Sequence, residues 1–569
     1  MRLFPAKLTG LLTAIPVIAA AQAPEVPPLP ETSPADVPQV SAPDSPGADA
    51  PLEPGGEGPS FVLRGVALEG VTALDQDVLV PIWTDLLGQN VTVATLEGIA
   101  ARISAAYRNA GYVLSQAILP AQSIDDGVVE ILVVEGFVDQ VRLSGGRPEQ
   151  QRLVLEYFGA TDADRPLRLE TLERSVLLSR DAVGGASPDS VQTVLGPSPD
   201  TFGAADLDVS ITEQSSTGYF SVDNRGSRLY GEWTLGAGLR TFNAFGLNET
   251  VDYTLALAPQ GTSLTFGAVT LEAPLSGVSG SFLDGARLRF NANYFRGDPD
   301  LTRIGATADL TTISEQQEIS ASLVVPFVRT RSSNLFGRLG LTARQSDAET
   351  RLSGLTTEEE DRLIILEAGL AWDVADRRGG ISLVDISLRQ GLDVAGARQS
   401  ASGPAAGELT FTSAQVRLSR LQSLGEGPWS LYGEVIGQMS RGVQPNSERF
   451  YLGGSTIGRG FAPGNTSGDT GYAGRAEIRR GIGADMLGSF AEAAEVFAFV
   501  DYGRAYDRSV ARDGRQWENL GSVGIGARIA VTPWLSLTPQ IVRQISGTAS
   551  DTVDTSPETR FFIGAVARF

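Results

Sequence analysis

Residues 523–531 read VGIGARIAV, and residues 559–569, at the end of the chain, read TRFFIGAVARF. Successive side chains of an extended strand point to opposite faces. Val523, Ile525, Ala527, Ile529 and Val531 therefore share one face, and Gly524, Gly526, Arg528 and Ala530 the other. The final segment repeats the pattern, with Phe561, Ile563, Ala565, Ala567 and Phe569 on one face and Arg568 opposite. The core of a soluble sandwich would need bulky residues on the inward face of such strands. Here the second face carries Gly, Arg, Asp, Glu and Thr, which suits a wall with lipid on one side and a wet lumen on the other.

Working back from these two segments, the same alternation recurs as far as Gly218, with strands starting near Glu232, Val251, Ser263, Ala286, Gln317, Leu335, Leu363, Ile381, Leu409, Trp429, Tyr472, Val496, Gly521, Leu535 and Arg560. That makes about sixteen antiparallel strands over 217–569, an even number in the range of bacterial barrels. No segment after the N-terminus offers the ~20 uninterrupted apolar residues of a spanning helix.

Before Glu213 the pattern is mixed. FVLRGVALEG (61–70) alternates like a strand, and Leu96, Ile99, Ala100, Ile103 and Tyr107 then mark one face of a helix that Gly111 ends. LSQAILP and VVEILVVEG complete a small α+β module of one strand, two helices and two strands over 61–137. A second pass over 138–214 starts at VDQVRLSG, with a helical stretch near Leu167 to Ser179 and strands VQTVLGPS and ADLDVSITE. Residues 1–21 combine Arg2 and Lys7 with an apolar run ending in small residues, the layout of a cleaved secretory signal peptide. Residues 22–60 are rich in Pro, Ala, Glu, Asp and Ser and read as an extended tether.

Composition removes most catalytic options. The 569 residues include no cysteine and no histidine, and the one lysine, Lys7, lies in the leader. Disulfides, thiolate or imidazole metal sites, Ser-His-Asp centres and a P-loop lysine are all unavailable to the mature chain. Ser221 or Ser455 would have no histidine base, and only carboxylate chemistry of the glycosidase kind stays open. No cofactor, metal or nucleotide is expected. The net charge of −22 argues against a nucleic-acid partner.

Four segments resemble the two-partner secretion transporters of the haemolysin secretion/activation type. Tyr107 to Val138 looks like the end of that family's first POTRA domain, through Gly111, Tyr112, Pro120, Gln122, Gly127, Glu135 and Gly136. FSVDNRGSRLYGEWTLGAGLRTFNAFG is similar to the family's passage into the barrel, through Asp223, Asn224 and Gly226. GGSTIGRGFAPG falls between the eleventh and twelfth strands, where the family has a loop that folds back into the barrel, its tip here being Arg459, Gly460 and Phe461. FVDYG, with Phe499, Asp501 and Gly503, matches an F-x-D-x-G element on the thirteenth strand. Alternation independently turns Phe497, Phe499, Asp501 and Gly503 inward, because Val496, Ala498, Val500 and Tyr502 make an uncharged face.

The resemblance implies periplasmic POTRA modules, a transmembrane barrel in the outer membrane of a Gram-negative bacterium, and export of a large unfolded β-rich exoprotein. It implies that Arg459 offers Asp501 a two-pronged ion pair that pins the loop. It also implies Phe569 as a C-terminal signal read by the barrel assembly machinery, lipid around the barrel, and a monomer. Some members carry an N-terminal helical plug, for which 22–60 is too rich in proline. An assembly factor for outer-membrane proteins, a passive porin and an enzyme barrel are the competing readings.

Overall fold

The computed structural model describes residues 59–569 except 125, 184–189, 214–215, 260–263, 308, 400–406, 509–516 and 555. The expected leader, the tether up to residue 58 and the question of a plug lie outside the described residues.

In the first module Ser60–Val62 pairs with Asn90–Thr92, while Gly65–Glu69 runs parallel to Val128–Val134, which carries Gln116–Ile118 antiparallel on its other side. FVLRGVALEG is thus two strands and not one. The amides of Arg64 and Gly65 both donate to Gly127 O, at 2.7 and 3.3 Å, and this shared acceptor breaks the strand. Helix α1 (Val93–Asn109) buries Leu96, Ile99, Ala100, Ile103 and Tyr107. The helix expected before it is a four-residue turn, Gln76–Leu79, followed by 3-10 turns at Val80–Ile82 and Thr84–Leu86. Pro81 has no amide to continue an α-helix there.

The second module sets Phe137–Gly145 parallel to Ala204–Ile211, with Val191–Pro197 as the other edge. Its helices are α2 (Pro148–Ala163) and α3 (Leu169–Val183). Sequence periodicity pointed to α3 only. Leu153, Val154, Tyr157 and Phe158 do have helical spacing and are buried, but Gly159 and the polar run after it shorten the signal.

The barrel closes through sixteen long strands plus the two-residue Arg398–Gln399 extension. In chain order they are β1 (Thr217–Asp223), β2 (Thr234–Phe242), β3 (Thr250–Leu257), β4 (Leu264–Pro274), β5 (Arg287–Gly297), β6 (Thr311–Arg329), β7 (Ser333–Leu352), β8 (Leu355–Ala375), β9 (Gly380–Leu392), β10 (Thr412–Ser423), β11 (Trp429–Arg441), β12 (Thr470–Ile482), β13 (Ala493–Tyr506), β14 (Trp517–Thr532), β15 (Leu535–Ser546) and β16 (Thr559–Arg568). The alternation is physical: Ile525 is 60% exposed on the outer face, whereas Phe499 is 4% exposed inside. Strands β6 to β8 start or end well beyond the expected points. Their outer halves, including the acidic 356–361, form a hairpin in which Glu360 is held by Arg398. Outside hydrocarbon a strand needs no apolar face, so hydropathy cannot mark its end.

The second module sits on the turns β2–β3, β4–β5 and β6–β7. Arg329 grips the Asp181 carboxylate with Nε and Nη2, both at 2.8 Å, and Arg287 adds a contact at 3.1 Å. Arg174 reaches Asp284, Arg331 reaches Glu173, and Asn243 donates to Glu149 at 3.0 Å. The connections β1–β2 through β15–β16 of the other set, including 442–469, therefore open on the distal side.

Candidate functional site

The POTRA-type motif residues build the first module. Gly111, at φ +94°, ends α1, and its carbonyl accepts Leu169 N from the second module at 2.8 Å. Tyr112 packs edge-on against Tyr107, with centroids 5.9 Å apart. Pro120 precedes Gln122, whose side chain stands in for a strand: its Nε2 donates to Glu130 O at 2.7 Å and its Oε1 accepts from Glu130 N at 2.8 Å. At Gly127, φ +72°, a Cβ would sit 2.4 Å from Val62 O, and at Gly136 one would sit 2.4 Å from Leu114 O. Glu135 gathers the amides of Thr72 and Ala73, at 2.7 and 2.8 Å, the Thr72 hydroxyl, and Tyr107 OH at 2.7 Å. Ile103, Tyr107 and Ala117 are core and leave no groove between helix and strand.

Burial would raise the Glu135 carboxyl, but the bonds from Thr72, Ala73 and Tyr107 outweigh it and hold it below the ordinary glutamate range. Burial, then the bond to Glu135, pushes the Tyr107 phenol up. The carboxylate is harder to protonate folded than unfolded. Its contribution is therefore full above the unfolded value of about 4.3 and fades as pH falls through the lower folded value. Glu135→Gln is expected to cost the module about 1–3 kcal/mol at pH 7, with the gap to wild type closing in acid. Hydrogen exchange at the Thr72 and Ala73 amides of the full chain reads both effects; exchange as slow as wild type at pH 7 would refute the assignment.

The chain enters the barrel at the module end of β1, and the residues expected to mark that entry lie at the strand's distal end, where Asp223 accepts from Arg225 N at 2.9 Å. Strands β1 and β16 pair only over Tyr219–Asp223 and 564–568. The Asn224 amide extends this seam, donating to Phe561 O at 3.0 Å and accepting from Ile563 N at 2.8 Å. A Cβ on Gly226 would meet Gly231 O at 2.1 Å, so the chain can turn inward here only with glycine. Phe569 closes the same seam at the module end: its N donates to Gly218 O at 2.9 Å, and its ring stacks on Phe220 at 5.5 Å, facing outward.

The distal loop 442–469 folds back into the lumen as a hairpin of Phe450–Leu452 and Thr466–Gly468. Gly453, Gly454 and Gly458 take positive φ, which lets the tip reverse sharply. Arg459, 2% exposed, places its guanidinium 3.9 Å from the centre of the Phe499 ring. Phe461 joins Leu452, Ile457, Ala473 and Leu520 in an apolar knot. Gly460 N donates to Ser522 Oγ at 3.1 Å, and Gly460 O accepts from Gln544 at 2.8 Å. Gly503 admits the loop, since a Cβ there would lie 2.8 Å from Leu452 Cδ2.

The ion pair expected between Arg459 and Asp501 is present, but with one prong at 3.6 Å and not two, and Arg459 shares itself with Glu477. Arg459 Nη2 bonds Glu477 Oε1 at 2.5 Å, while its Nε stands 3.6 Å from Asp501 Oδ2. Asp501 also takes the tip backbone, accepting Gly458 N at 2.9 Å and Ser522 Oγ at 2.7 Å. Register explains the sharing: Phe499 lies opposite Glu477 across β12–β13, so the arginine that stacks on Phe499 meets Glu477 first. Arg479 and Arg528 also hold Glu477, at 2.7 and 3.2 Å. Sequence reading missed Glu477, although alternation along β12 turns it inward together with Arg475 and Arg479.

A second anchor, unexpected from sequence, lies at the base of the loop. Glu448, buried in the turn Asn446–Glu448, bonds Arg344 of β7, and its other oxygen is 2.9 Å from Arg389 of β9. Arg344 also donates to Ser447 O at 3.1 Å. The loop is thus tied to β7 and β9 at its base and to β12 and β13 at its tip, and it crosses the lumen between them. Among the described residues no group of three or more acidic, histidine or cysteine side chains could hold a metal.

Two family models match the chain. "POTRA domain, ShlB-type" covers residues 61–136, and "Haemolysin secretion/activation protein ShlB/FhaC/HecB" covers 285–529. A curated relative, the heme/hemopexin transporter protein HuxB of Haemophilus influenzae, is 23% identical over 504 residues, 87% of this chain and 84% of HuxB. Among solved structures, CdiB from Escherichia coli superposes with a TM-score of 0.70 at 18% identity, covering 92% of this chain and 93% of CdiB. BamA from Haemophilus ducreyi, lacking POTRA domains 1–3, gives 0.52 at 15% identity over 90% of this chain and all of that one. Both structural likenesses speak for the fold.

Proposed function

As a member of the haemolysin secretion/activation family of ShlB, FhaC and HecB, this chain is an outer-membrane transporter, and we propose that it exports a large, unfolded, β-rich exoprotein by two-partner secretion. We take residues 61–137 and 138–214 as the two periplasmic POTRA modules and 217–569 as a monomeric barrel inserted by the barrel assembly machinery. The observation that carries the reading is the lumenal loop, pinned at Arg459 to Glu477 and through its backbone to Asp501. A passive pore has no need of such a strut or of two docking modules.

In this reading the exoprotein's extended N-terminal region docks on the modules by adding a strand to a free sheet edge. Val191–Pro197 is one such edge, with Val194 64% exposed. The chain then threads a lumen whose wall is largely Gly, Ser, Gln and paired charges, which offers water and few adhesive side chains. The mature chain lacks the residues of a nucleotide motif, so folding outside the membrane supplies the bias. No catalytic step is assigned.

The test is secretion. Co-expression with a candidate exoprotein, a long, repeat-rich chain of the same genome, should place that protein in the medium in a manner that depends on this chain. Absence of partner-dependent export, with general loss of outer-membrane proteins on depletion, would transfer the assignment to the assembly-factor reading favoured by the BamA-like fold.

A further inference from the structure

On the outer wall, at the distal ends of β11 to β14, two guanidinium groups stand against aromatic rings and a third arginine lies close by. Along β13 the outward residues are Tyr502, Arg504 and Tyr506, as alternation requires with Phe499, Asp501 and Gly503 facing in. Arg504 lies 5.0 Å from the centre of the Trp517 ring, its Nε covered and without a hydrogen-bond partner. Trp517 in turn meets Tyr506 at 4.9 Å and Tyr472 at 6.4 Å. Arg508, exposed just past β13, lies 5.9 Å from the Tyr506 ring and donates to Ser440 O at 3.2 Å. That bond brings it beside Arg441, the exposed last residue of β11, which follows the outward Met439.

Among the described residues the acids nearby are committed elsewhere. Asp507 pairs with Arg449 at 2.7 Å. Asp469 is fully buried and accepts the backbone amides of Gln444 and Arg508. Glu518 accepts the hydroxyl of Thr466 in the loop. Among the described residues no carboxylate forms an ion pair with Arg441, Arg504 or Arg508, whereas Arg289, Arg296, Arg398 and Arg420 elsewhere on the barrel each have one. An aromatic girdle alone accounts for the tyrosines and tryptophan. It does not account for three arginines that have no ion pair among the described residues, on the lipid side of a chain with net charge −22.

We infer that this patch binds the phosphate groups of an anionic, phosphorylated lipid of the outer leaflet. The arginines supply forked donors for phosphate oxygens, and the rings seat the junction between headgroup and acyl chains. The patch faces the outer leaflet because the modules occupy the opposite end of the barrel. This inference rests on the outer-membrane placement and not on which protein is exported.

The test uses the full mature chain refolded in detergent free of outer-membrane lipid and titrated, under native mass spectrometry, with purified lipopolysaccharide, with phosphatidylethanolamine and with inorganic phosphate. Heat-modifiable gel migration verifies that each variant is folded. The wild type should bind lipopolysaccharide in preference to both other ligands, and the triple variant Arg441→Ala, Arg504→Ala, Arg508→Ala should bind it at least about tenfold more weakly. If the triple variant does not fold, Arg504→Gln and Arg508→Gln measured singly replace it, each expected to weaken binding about threefold. Undiminished binding by the variants, equal binding of phosphatidylethanolamine, or a site filled as well by inorganic phosphate would each overturn the inference.

Discussion

Replacing Arg459 by alanine should cut export at least about tenfold while leaving the amount of folded barrel unchanged. The substitution removes a side chain that holds both β12 and β13, through Glu477 at 2.5 Å and Phe499 at 3.9 Å. Removing one partner of a buried, hydrogen-bonded ion pair typically costs about 3–5 kcal/mol. At ~1.4 kcal/mol per factor of ten, that shifts the balance between pinned and free tip by roughly two to three and a half decades. The barrel itself should survive, because Glu477 keeps Arg479 and Arg528 and the strand ladders are untouched. Arg459→Lys should rescue little, since an ammonium can neither fork between Glu477 and the Asp501 side nor stack flat on Phe499. Export is read as exoprotein in the medium at matched barrel levels, and pinning as protease access to the loop. Normal export by the alanine variant would remove the tip from the mechanism. A charge swap between Arg459 and Glu477 should not restore export, because it would set an arginine at 477 against Arg479 and Arg528.

The parts of this arrangement that sequence makes legible are those set by short-range periodicity. A period of two turns Asp501 inward whatever the rest of the barrel does, and counting alternating segments puts the Arg459 loop between β11 and β12. Glu477 is different. Its inward direction is equally local, but its meeting with Arg459 depends on the register of β12 against β13 and on where a folded-back loop comes to rest. The same limit hides Glu448, whose partners Arg344 and Arg389 are far away in the chain. Hydropathy also fails where lipid ends: the charged outer halves of β7 and β8 look like loop because no apolar face is required of them. In the second module, α2 was missed although Leu153, Val154, Tyr157 and Phe158 keep its period, since Gly159 interrupts the run. The POTRA motif is legible as a motif and misleading as a site, for Gln122, Glu135 and the glycines hold the module's own backbone together.

Glu448→Gln should raise the ion conductance of the barrel in planar bilayers while sparing most export. The wild-type loop crosses the lumen because it is held at both ends, and the two anchors differ in kind. At the tip, backbone bonds and an apolar knot accompany the ion pair. At the base, one carboxylate shared by Arg344 and Arg389 makes the tie to β7 and β9, assisted by the bond from Arg344 to Ser447 O and by Gln438 donating to Glu448 O at 2.8 Å, while Asp469 holds the Gln444 amide and Asp507 pairs with Arg449. Glutamine keeps the shape but withdraws the charge, and charge-assisted bonds are about twice as strong as neutral ones. Arg344 retains Glu318 and Arg389 retains Glu367, so the wall should not collapse. The tie of the base to β7 and β9 is then weakened while the tip remains fixed, which widens that side of the lumen without releasing Arg459. A larger mean conductance, with export at least half of wild type, is the expected pair of results, and Arg344→Ala should reproduce the conductance change. Wild-type conductance in both variants would show that the base contact does not obstruct the pore. Loss of export in Glu448→Gln equal to that in Arg459→Ala would show that the loop acts as one rigid unit, with no independent hinge at its tip.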